Sequence, residues 1–256
     1  MSTGTPEPRD GLLQGRRVLV TGGSGGIGQG IAAVCAREGA SVAFSYQSNA
    51  DGAEATLALI RAHGEGLSIR ADLRERAAAA AIVREVEDAW GGVDVVVNNA
   101  AVSEAVPFVL LEDDDWDDVI ELNVNAVFRL SRAAARGMVR RKWGRIVNIG
   151  SIAGARAIAS PVHYATSKGA IEGMTRSLAH ELGPYGVLVN AIAAGIFEGG
   201  LRSTIPEHHQ QRYVDSCALG RIGRPAECGE LVAWLASPRN TYLNGAVVVL
   251  DGGTVA

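Results

Sequence analysis

The sequence predicts an α/β fold in which a doubly wound, parallel sheet of seven strands carries helices on both faces. Two observations support this fold class. Seven short runs rich in Val, Ile, Leu and Ala alternate with longer segments whose apolar residues recur with a helical period. The runs are almost continuously apolar, which is typical of strands that are covered on both faces. Because strand–helix alternation requires crossover connections, the strands are expected to be parallel.

Seven predicted strands follow one another along the chain, at residues 17–22, 41–46, 67–72, 93–99, 145–151, 187–193 and 246–253. Helical periodicity fills the segments between them, as Ile27, Ile31 and Val34 show for the first. The rhythm is uninterrupted, so residues 15–256 are predicted to form a single domain. Residues 1–14 are polar and contain Pro and Gly, and we expect them to form a flexible tail.

The composition excludes several classes of protein. The chain has 256 residues, of which 47% are apolar and 20% are charged, an ordinary globular mixture. It contains neither an apolar run long enough for a membrane span nor a signal peptide, so we expect a cytoplasmic protein with no membrane partner. The net charge of −4 does not indicate a nucleic-acid partner. Cys35, Cys217 and Cys228 lack metal-ligand spacing, so we expect free thiols and no metal site.

A glycine-rich stretch, "TGGSGGIGQG" (residues 21–30), lies between the first predicted strand and the first predicted helix. Gly22, Gly26 and Gly28 permit the positive φ angles of a tight turn and a close approach of the backbone to a pyrophosphate. The N-terminus of the following helix supplies unpaired N–H groups and the positive end of the helix dipole. In this position the stretch predicts a nucleotide-binding fold of the Rossmann type.

Three residues near the fifth strand form a candidate catalytic group. Ser151 ends that strand, Tyr164 follows 13 residues later, and Lys168 lies four residues further on, on the same helical face as Tyr164. An ammonium beside a phenol is predicted to lower the pKa of the phenol towards neutral pH, and it can also donate to ribose hydroxyls. Tyr164 would then exchange a proton with a substrate oxygen held by Ser151 while a hydride moves at carbon.

These motifs together resemble one known family, the short-chain dehydrogenases/reductases, over about residues 12–254. The residues that carry the resemblance are "TGGSGGIG" (21–28), "NNAA" (98–101), "LNV" with Asn123, "GRIVNIGS" (144–151), "YATSK" (164–168) and "LDGG" (250–253). Residues 127–151 are particularly similar to the 3-oxoacyl-carrier-protein reductases of that family. The resemblance implies a catalytic group of Asn123, Ser151, Tyr164 and Lys168, in which Asn123 anchors a water that links Lys168 to solvent.

The resemblance also implies which residues hold a nicotinamide dinucleotide. Asp72 is expected to meet the adenine amino group, and Asn98 is expected to bond within the sheet and order the cofactor loop. The backbone of Ile196 and Phe197 is expected to hold the carboxamide. The full set of expected contacts is Gly22, Ser24, Gly25, Gly26, Ile27, Gly28, Tyr46, Gln47, Ser48, Asn49, Asp72, Leu73, Asn99, Ala100, Tyr164, Lys168, Gly195, Ile196 and Phe197.

Two positions after the sixth strand depart from the family pattern. Ala194 stands where a Pro is usual, and Gly199 stands where a Thr usually bonds the nicotinamide side. Loss of the Pro frees a φ angle and predicts a looser loop. Loss of the hydroxyl removes one cofactor contact.

The end of the second strand favours NADPH over NADH. NAD-selective members of the family place an acid there, which bonds the ribose 2′-hydroxyl and repels a 2′-phosphate. That place holds Tyr46 in this chain, without an adjoining acid. Ser24, Ser45, Ser48 and Asn49 offer hydrogen bonds to a phosphate, but these residues add no positive charge. NADPH is therefore the expected cofactor, and NADH is the less favoured one.

Residues 196–220 are expected to form a lid over the substrate. The expected reaction is reduction of a 3-oxoacyl thioester, small or bound to a carrier protein, in fatty-acid or polyketide synthesis. Arg129 and Arg176 fall at the two basic docking positions of the carrier-protein reductases, although a row of arginines can equally be a solvated helix face. The resemblance also implies a homotetramer built through residues 116–142 and 164–182.

Two alternative functions remain open. One is a dehydrogenase of the same family that acts on a free sugar, steroid or other secondary alcohol. The other is a protein that senses a dinucleotide without chemistry. The complete set of Ser151, Tyr164 and Lys168 argues against the second alternative.

Overall fold

A sheet of seven strands forms the centre of the computed structural model, which describes residues 11–154 and 160–254. The strands are β1 (Arg17–Val20), β2 (Ser41–Tyr46), β3 (Gly66–Arg70), β4 (Val95–Asn98), β5 (Gly144–Ser151), β6 (Val187–Ala194) and β7 (Val247–Leu250). Their order in the sheet is β3-β2-β1-β4-β5-β6-β7, and all neighbours run parallel. The predicted doubly wound, parallel α/β sheet is therefore confirmed.

Helices connect the strands and lie against both faces of the sheet. They are α1 (Gly26–Arg37), α2 (Ala50–Arg61), α3 (Ala78–Trp90), α4 (Asp113–Ile120), α5 (Ala126–Arg141), α6 (Val162–Leu182), α7 (Glu207–Ser216) and α8 (Pro225–Ala236). A π-helical turn at Glu121–Asn125 joins α4 to α5. Among the described residues, no helix has the length and apolar character needed to cross a bilayer.

Alternate residues of the central strand β1 face two different cores. Val18 and Val20 pack into a buried cluster that contains Ile31 of α1. Leu19 points the other way, into a cluster that contains Leu130 of α5. Because side chains alternate along a strand, one continuously apolar run supplies both faces of the sheet.

Four described residues, 11–14, belong to the segment that the sequence predicts to be a flexible tail. Leu13 is fully buried in the core. Its N–H donates to the Glu38 carbonyl at 2.9 Å, and the N–H of Leu12 donates to the Glu38 carboxylate at 3.0 Å. The prediction is therefore wrong for residues 11–14, because an apolar side chain anchors them, while residues 1–10 lie outside the described residues.

The carboxyl ends of the strands bring the predicted site residues to one edge of the sheet. Gly22 follows β1, Asn99 follows β4, Ser151 ends β5 and Gly195 follows β6. Doubly wound sheets bind ligands at this edge, next to the point where the strand order changes direction. Here that point lies between β1 and β4.

Candidate active site

The glycine loop between β1 and α1 has the shape that its sequence predicts. Gly22 and Gly26 have φ angles of 66° and 50°, in the left-handed region that favours glycine. A Cβ added at Gly28 would lie 2.1 Å from the carbonyl oxygen of Gly22, so no larger residue fits there. Helix α1 begins at Gly26 without an acidic residue in its first turn. Its free N–H groups and dipole can therefore receive an anionic group.

Thr21 and Asn99 tie the glycine loop to the loop after β4. Asn99 Nδ2 donates to the Thr21 carbonyl at 2.8 Å and to the Gly22 carbonyl at 3.1 Å. The Thr21 hydroxyl accepts in turn from the backbone N–H groups of Asn99 at 2.9 Å and Ala100 at 3.0 Å. The two loops therefore form one connected rim, and Thr21 is a contributor that sequence reasoning missed.

A cavity of about 1220 Å³ runs along this edge of the sheet. It is lined by every predicted cofactor contact except Gly26 and Ser48. Those lining residues are Gly22, Ser24, Gly25, Ile27, Gly28, Tyr46, Gln47, Asn49, Asp72, Leu73, Asn99, Ala100, Tyr164, Lys168, Gly195, Ile196 and Phe197. The length of this lining and the side-chain-free cradle at Gly28 fit a nicotinamide dinucleotide.

β5 and α6 bring Ser151, Tyr164 and Lys168 to one wall of the cavity. Lys168 Nζ lies 5.5 Å from the centroid of the Tyr164 ring and donates to the Ile149 carbonyl at 2.9 Å. Ser151 Oγ accepts from the backbone N–H of Ala153 at 3.2 Å. The predicted juxtaposition of hydroxyl, phenol and ammonium is therefore present in the fold.

Burial controls the pKa values of both Tyr164 and Lys168. It raises the pKa of the Tyr164 phenol, and a hydrogen bond with the Ser151 side chain opposes part of that rise. It lowers the pKa of Lys168 from 10.5 to about 8. The prediction that Lys168 lowers the pKa of the phenol towards neutral pH is therefore wrong for this structure, because desolvation dominates. The Lys168 ammonium is also directed to the Ile149 carbonyl rather than to the phenol oxygen.

Two buried asparagines beside the site form hydrogen bonds through their side chains. Asn123, in the π-helical turn, accepts from the Val102 N–H at 2.9 Å. It donates to the Val102 carbonyl at 2.9 Å and to the Ser167 hydroxyl at 3.1 Å, so it joins the loop after β4 to α6. Its side chain does not line the cavity among the described residues, and its water-binding role stays a prediction. Asn98 donates to Asn148 Oδ1 at 2.7 Å, a bond within the sheet.

Two arginines that sequence reasoning missed lie near the end of β2. Tyr46 pairs in register with Arg70 of β3, and Arg70 Nε donates to the Gln47 carbonyl at 3.1 Å. Arg74 lines the cavity near Asp72, which accepts from Gln47 Nε2 at 2.9 Å. These two arginines therefore add positive charge near the end of β2, which the polar residues named from the sequence do not supply. The register between β2 and β3 brings Arg70 beside the end of β2, and this register cannot be read from the local sequence.

The two arginines differ in their charge partners. The Arg74 guanidinium donates to the Asp118 carboxylate at 2.7 Å and lies 3.7 Å from Asp72. Arg70 forms no ion pair with any residue that the structure describes. Arg70 therefore carries an uncompensated positive charge beside Gln47, although Arg74 and not Arg70 lines the cavity.

The predicted lid, residues 196–220, passes across the cavity. Near its start, Phe197 forms a β-bridge to Gly223, in the segment before α8. A Cβ added at Gly26 would lie 2.9 Å from the backbone of Gly200, so the lid backbone lies directly against the glycine loop. Helix α7 then contributes Tyr213 to the cavity lining.

The two predicted docking arginines differ in their accessibility. The Arg129 side chain is 13% exposed and forms an ion pair with Glu121. The Arg176 side chain is 60% exposed and pairs with Glu172, whose second oxygen is buried without a partner among the described residues. Only Arg176 of this pair is openly presented to solvent, because the π-helical turn places Glu121 against Arg129.

The sequence profile of a family described as Enoyl-(Acyl carrier protein) reductase matches residues 22–255. The chain belongs to the short-chain dehydrogenase/reductase family. It is thus an oxidoreductase with a Rossmann-type fold, as the motifs predict.

Curated relatives within this family include two bacterial enzymes named 3-oxoacyl-[acyl-carrier-protein] reductase. The protein from Pseudomonas aeruginosa is 39% identical over 242 residues, which cover 94% of this chain and 98% of that protein. The protein from Escherichia coli is 33% identical over 241 residues, with the same 94% and 98% coverage.

Solved structures of the same family share the whole architecture. A short-chain dehydrogenase/reductase from Serratia marcescens is 38% identical and matches with a TM-score of 0.88 over 95% of this chain and 99% of that one. A short-chain type dehydrogenase/reductase from Mycobacterium marinum is 30% identical, with a TM-score of 0.89 over 94% and 96% of the two chains.

Proposed function

We propose that this chain reduces a 3-oxoacyl thioester to the corresponding 3-hydroxyacyl thioester with NADPH. The observation that carries the proposal is the position of Ser151, Tyr164 and Lys168 on one wall of a cavity that also reaches the glycine loop. The relatives that bear the name of this reaction, at 39% and 33% identity, support the choice of substrate class.

The residues of the cavity have separate tasks in this reaction. Gly22, Gly28 and the N-terminus of α1 would hold the pyrophosphate, and the reduced nicotinamide supplies a hydride when bound. Ser151 donates a hydrogen bond that orients the substrate carbonyl. Tyr164 donates its phenolic proton to the carbonyl oxygen, so that the carbon gains the hydride and the oxygen gains the proton. Lys168, on the same wall of the cavity, would donate to ribose hydroxyls of the cofactor, and water then reprotonates the phenolate.

The phenol of Tyr164 can act as a proton donor at neutral pH. Burial raises its pKa above the ordinary value of 10.0, so the phenol carries its proton at neutral pH. A proton donor is what a ketone needs when it accepts a hydride, whereas alcohol oxidation needs a base. The relatives named 3-oxoacyl-[acyl-carrier-protein] reductase support a ketoreductase over a dehydrogenase that acts on a free secondary alcohol.

The charges at the end of β2 support NADPH. Tyr46 occupies the place of the acid that would repel a 2′-phosphate, and Ser45 and Asn49 also line the cavity there. The uncompensated guanidinium of Arg70 lies within hydrogen-bonding distance of the Gln47 backbone. A fixed cation beside hydroxyl and amide donors is suited to a phosphate.

The proposed partners follow from the family and from the exposed charges. A carrier protein that delivers the acyl chain would meet Arg176 and the exposed arginines of α5, which are Arg132, Arg136 and Arg140. Arg129 would contribute only if its ion pair with Glu121 opened. We also propose a homotetramer built through residues 116–142 and 164–182, and a cytoplasmic location.

Absorbance of the nicotinamide during turnover tests the proposal. NADPH and NADH are each mixed with a 3-oxoacyl thioester of a small thiol, the same acyl group on a carrier protein, a free ketone and an enoyl thioester. We expect the fastest oxidation with NADPH and the 3-oxoacyl thioesters. Fastest turnover of the free ketone would instead support the second dehydrogenase function, and fastest turnover of the enoyl thioester would support the activity in the family description.

Replacement of the proton donor tests the mechanism. Tyr164→Phe is expected to lower turnover by roughly 10²- to 10⁴-fold, the usual contribution of a general acid. NADPH binding should be retained, because the ring remains. Tyr242→Phe, at a side chain that is 97% exposed, is the matched control. Full activity of Tyr164→Phe would refute the mechanism, whereas NADPH binding by the wild-type chain without any turnover would point to a sensor.

A further inference from the structure

The loop after β6 is held by contacts that lie far away in the sequence. Ala194 ends β6, and the N–H of Gly195 donates to the Leu250 carbonyl at 3.0 Å. The Ile196 carbonyl accepts from the Gly223 N–H at 2.9 Å. These bonds fix the two ends of the turn, but its inner face at Gly195 has no side chain of its own.

The hydroxyl of Tyr213 fills that inner face. Tyr213 lies on α7 in the lid, and its hydroxyl donates to the Asp251 carbonyl at 2.8 Å. A Cβ added at Gly195 would lie 2.0 Å from the same hydroxyl oxygen, so the phenol is in contact with the Gly195 backbone. Gly195 is therefore required for the approach of this side chain.

The surroundings of Tyr213 are those of a fixed side chain. Burial raises the pKa of its phenol, and hydrogen bonds with the Thr254 side chain and the Ile196 backbone oppose that rise. The Thr254 hydroxyl also donates to the Asp251 carbonyl at 2.8 Å. One side chain thus connects the lid helix, the turn after β6 and the turn after β7.

We propose that Tyr213 is a positioning residue that fixes the loop Gly195–Phe197 for the nicotinamide end of the cofactor. The proposal rests on the proposed function only in assigning nicotinamide to that loop. Its physical basis is that Ala194 lacks the ring of the usual Pro, so strand pairing alone restrains φ at the end of β6, whereas Tyr213 contacts Gly195 and bonds the Ile196 backbone from the opposite side. Without the Tyr213 hydroxyl, the hydrogen bonds at the two ends of the loop would remain, but the contact that supports Gly195 would be lost.

Binding measurements without substrate test the proposal. Tyr213→Phe is expected to weaken NADPH binding by roughly fivefold to tenfold, the usual effect of one lost hydrogen-bonding group. The probe is nicotinamide fluorescence. Binding of adenosine 2′,5′-bisphosphate, which lacks the nicotinamide half, should not change. Tyr242→Phe is the control. Unchanged NADPH affinity, or an equal loss for both ligands, would overturn the proposal.

Two further readouts separate positioning from general stability. In the cofactor-free protein, the amides of residues 195–197 are expected to exchange hydrogen at least about tenfold faster in Tyr213→Phe than in the wild-type chain, while β5 exchanges equally. Adding Ala194→Pro to Tyr213→Phe locks the φ angle at the start of the loop and should recover most of the lost NADPH affinity. If the double variant keeps the wild-type melting temperature and recovers no affinity, the positioning role is wrong.

These readouts do not depend on turnover. A chain that binds NADPH but reduces no 3-oxoacyl thioester would contradict the proposed function and leave the role of Tyr213 intact. If the wild-type chain reduces the thioester and Tyr213→Phe binds NADPH with unchanged affinity, the proposed function stands and the role of Tyr213 is contradicted.

Discussion

At the scale of single residues, burial shifts the pKa values of Tyr164 and Lys168 in opposite directions with one common effect. It favours the neutral form of both groups, because each would lose water around its charge. The phenol therefore holds its proton as an acid should. The lysine remains mostly protonated at pH 7, but its charge is held at a cost to stability, since the residue is only 4% exposed.

This cost predicts a pH dependence of stability. The pKa of Lys168 is about 8 in the folded chain against an ordinary value of 10.5. Between these values the unfolded chain binds the additional proton, so the contribution of Lys168 to stability rises with pH. Below pH 8 both states are protonated and the full penalty applies. At roughly 1.36 kcal/mol per pKa unit, the penalty is on the order of 3 kcal/mol.

Lys168→Met removes the penalty and tests its size. We expect the variant to gain stability over the wild-type chain at pH 7, less about 1 kcal/mol for the lost bond to the Ile149 carbonyl. That advantage should shrink steadily as the pH rises from 8 towards 10.5. Urea unfolding of the cofactor-free proteins at several pH values measures it. Lys142→Met, at an exposed position, is the control. An advantage that stays constant with pH would contradict the pKa of Lys168.

Arg70 carries the second prediction at this scale. Arg70→Gln removes the uncompensated guanidinium beside Gln47 while keeping a polar side chain. We expect the KM for NADPH to rise by roughly tenfold, because a charge-assisted bond to phosphate is worth about 1.5–3 kcal/mol. The KM for NADH should stay within about twofold of the wild-type value, because its ribose carries no phosphate at that position.

Salt and a second arginine provide the controls for Arg70. Added salt should reduce the difference in NADPH KM between the wild-type chain and Arg70→Gln, since exposed charges are screened. Arg61→Gln alters an exposed arginine at the end of α2 and should leave both KM values unchanged. Parallel changes in the KM values for NADPH and NADH after Arg70→Gln would rule out recognition of the phosphate.

At the scale of elements, the strand–turn–helix unit β1–α1 depends on the absence of side chains. A methyl group at Gly28 would lie 2.1 Å from the Gly22 carbonyl oxygen and 2.6 Å from Asn99 Nδ2. Gly28→Ala is therefore expected to push the glycine loop away from the loop after β4. We expect a loss of about 1–3 kcal/mol in the free energy of unfolding, as for other overpacked sites. NADPH binding should weaken by more than tenfold.

Gly64→Ala is the matched control for this substitution. Its added Cβ would meet only the Ala40 carbonyl oxygen, at an ordinary contact distance of 3.5 Å. Its stability should stay within about 0.5 kcal/mol of the wild-type value. Denaturant unfolding and NADPH fluorescence measure both variants. Equal behaviour of the two would mean that the close contact at Gly28 relaxes without consequence.

Local sequence patterns predicted the strands and helices. The features that they did not predict depend on pairing between residues far apart in the sequence. Each apolar run became a strand, because its composition suits a strand buried on both faces. The first run ends in the structure at Val20 rather than residue 22, since Gly22 turns the chain out of the sheet with a positive φ. The charge of Arg70 beside Tyr46 depends on the register of β2 with β3, which no local pattern contains.

The candidate site was predicted in its composition but not in its electrostatics. Spacing placed Tyr164 and Lys168 on one helical face, and the cavity contains both. The sign of the phenol's pKa shift depends on how much water the complete fold removes, which a sequence does not specify. The burial of Arg129 against Glu121 likewise follows from the π-helical turn between α4 and α5.

At the scale of the whole molecule, opposite charges lie on neighbouring helices. Helix α4 starts with an acidic run, "EDDDWDD" (residues 112–118), that carries one short ion pair to Arg74. Helix α5 presents Arg132, Arg136 and Arg140 to solvent, and α6 presents Arg176. An acidic partner would be repelled by the first surface and attracted by the second. A net charge of −4 therefore does not prevent docking of an acidic carrier protein, but it restricts the orientation of approach.

Charge reversal at Arg176 tests this orientation. Arg176→Glu is expected to raise the KM for a carrier-bound 3-oxoacyl substrate by about three- to tenfold, because a rim charge mainly changes the rate of association. The KM for the same acyl group on a small thiol should not change, since Arg176 does not line the described cavity. The effect should diminish as salt is added. Arg61→Glu, an exposed charge reversal on α2, is the control.

Arg129→Glu is a poor substitute, because it would place a second carboxylate against Glu121 and alter the fold as well as the surface. An equal rise in KM for the carrier-bound and small substrates in Arg176→Glu would place the effect inside the site and exclude docking at α6.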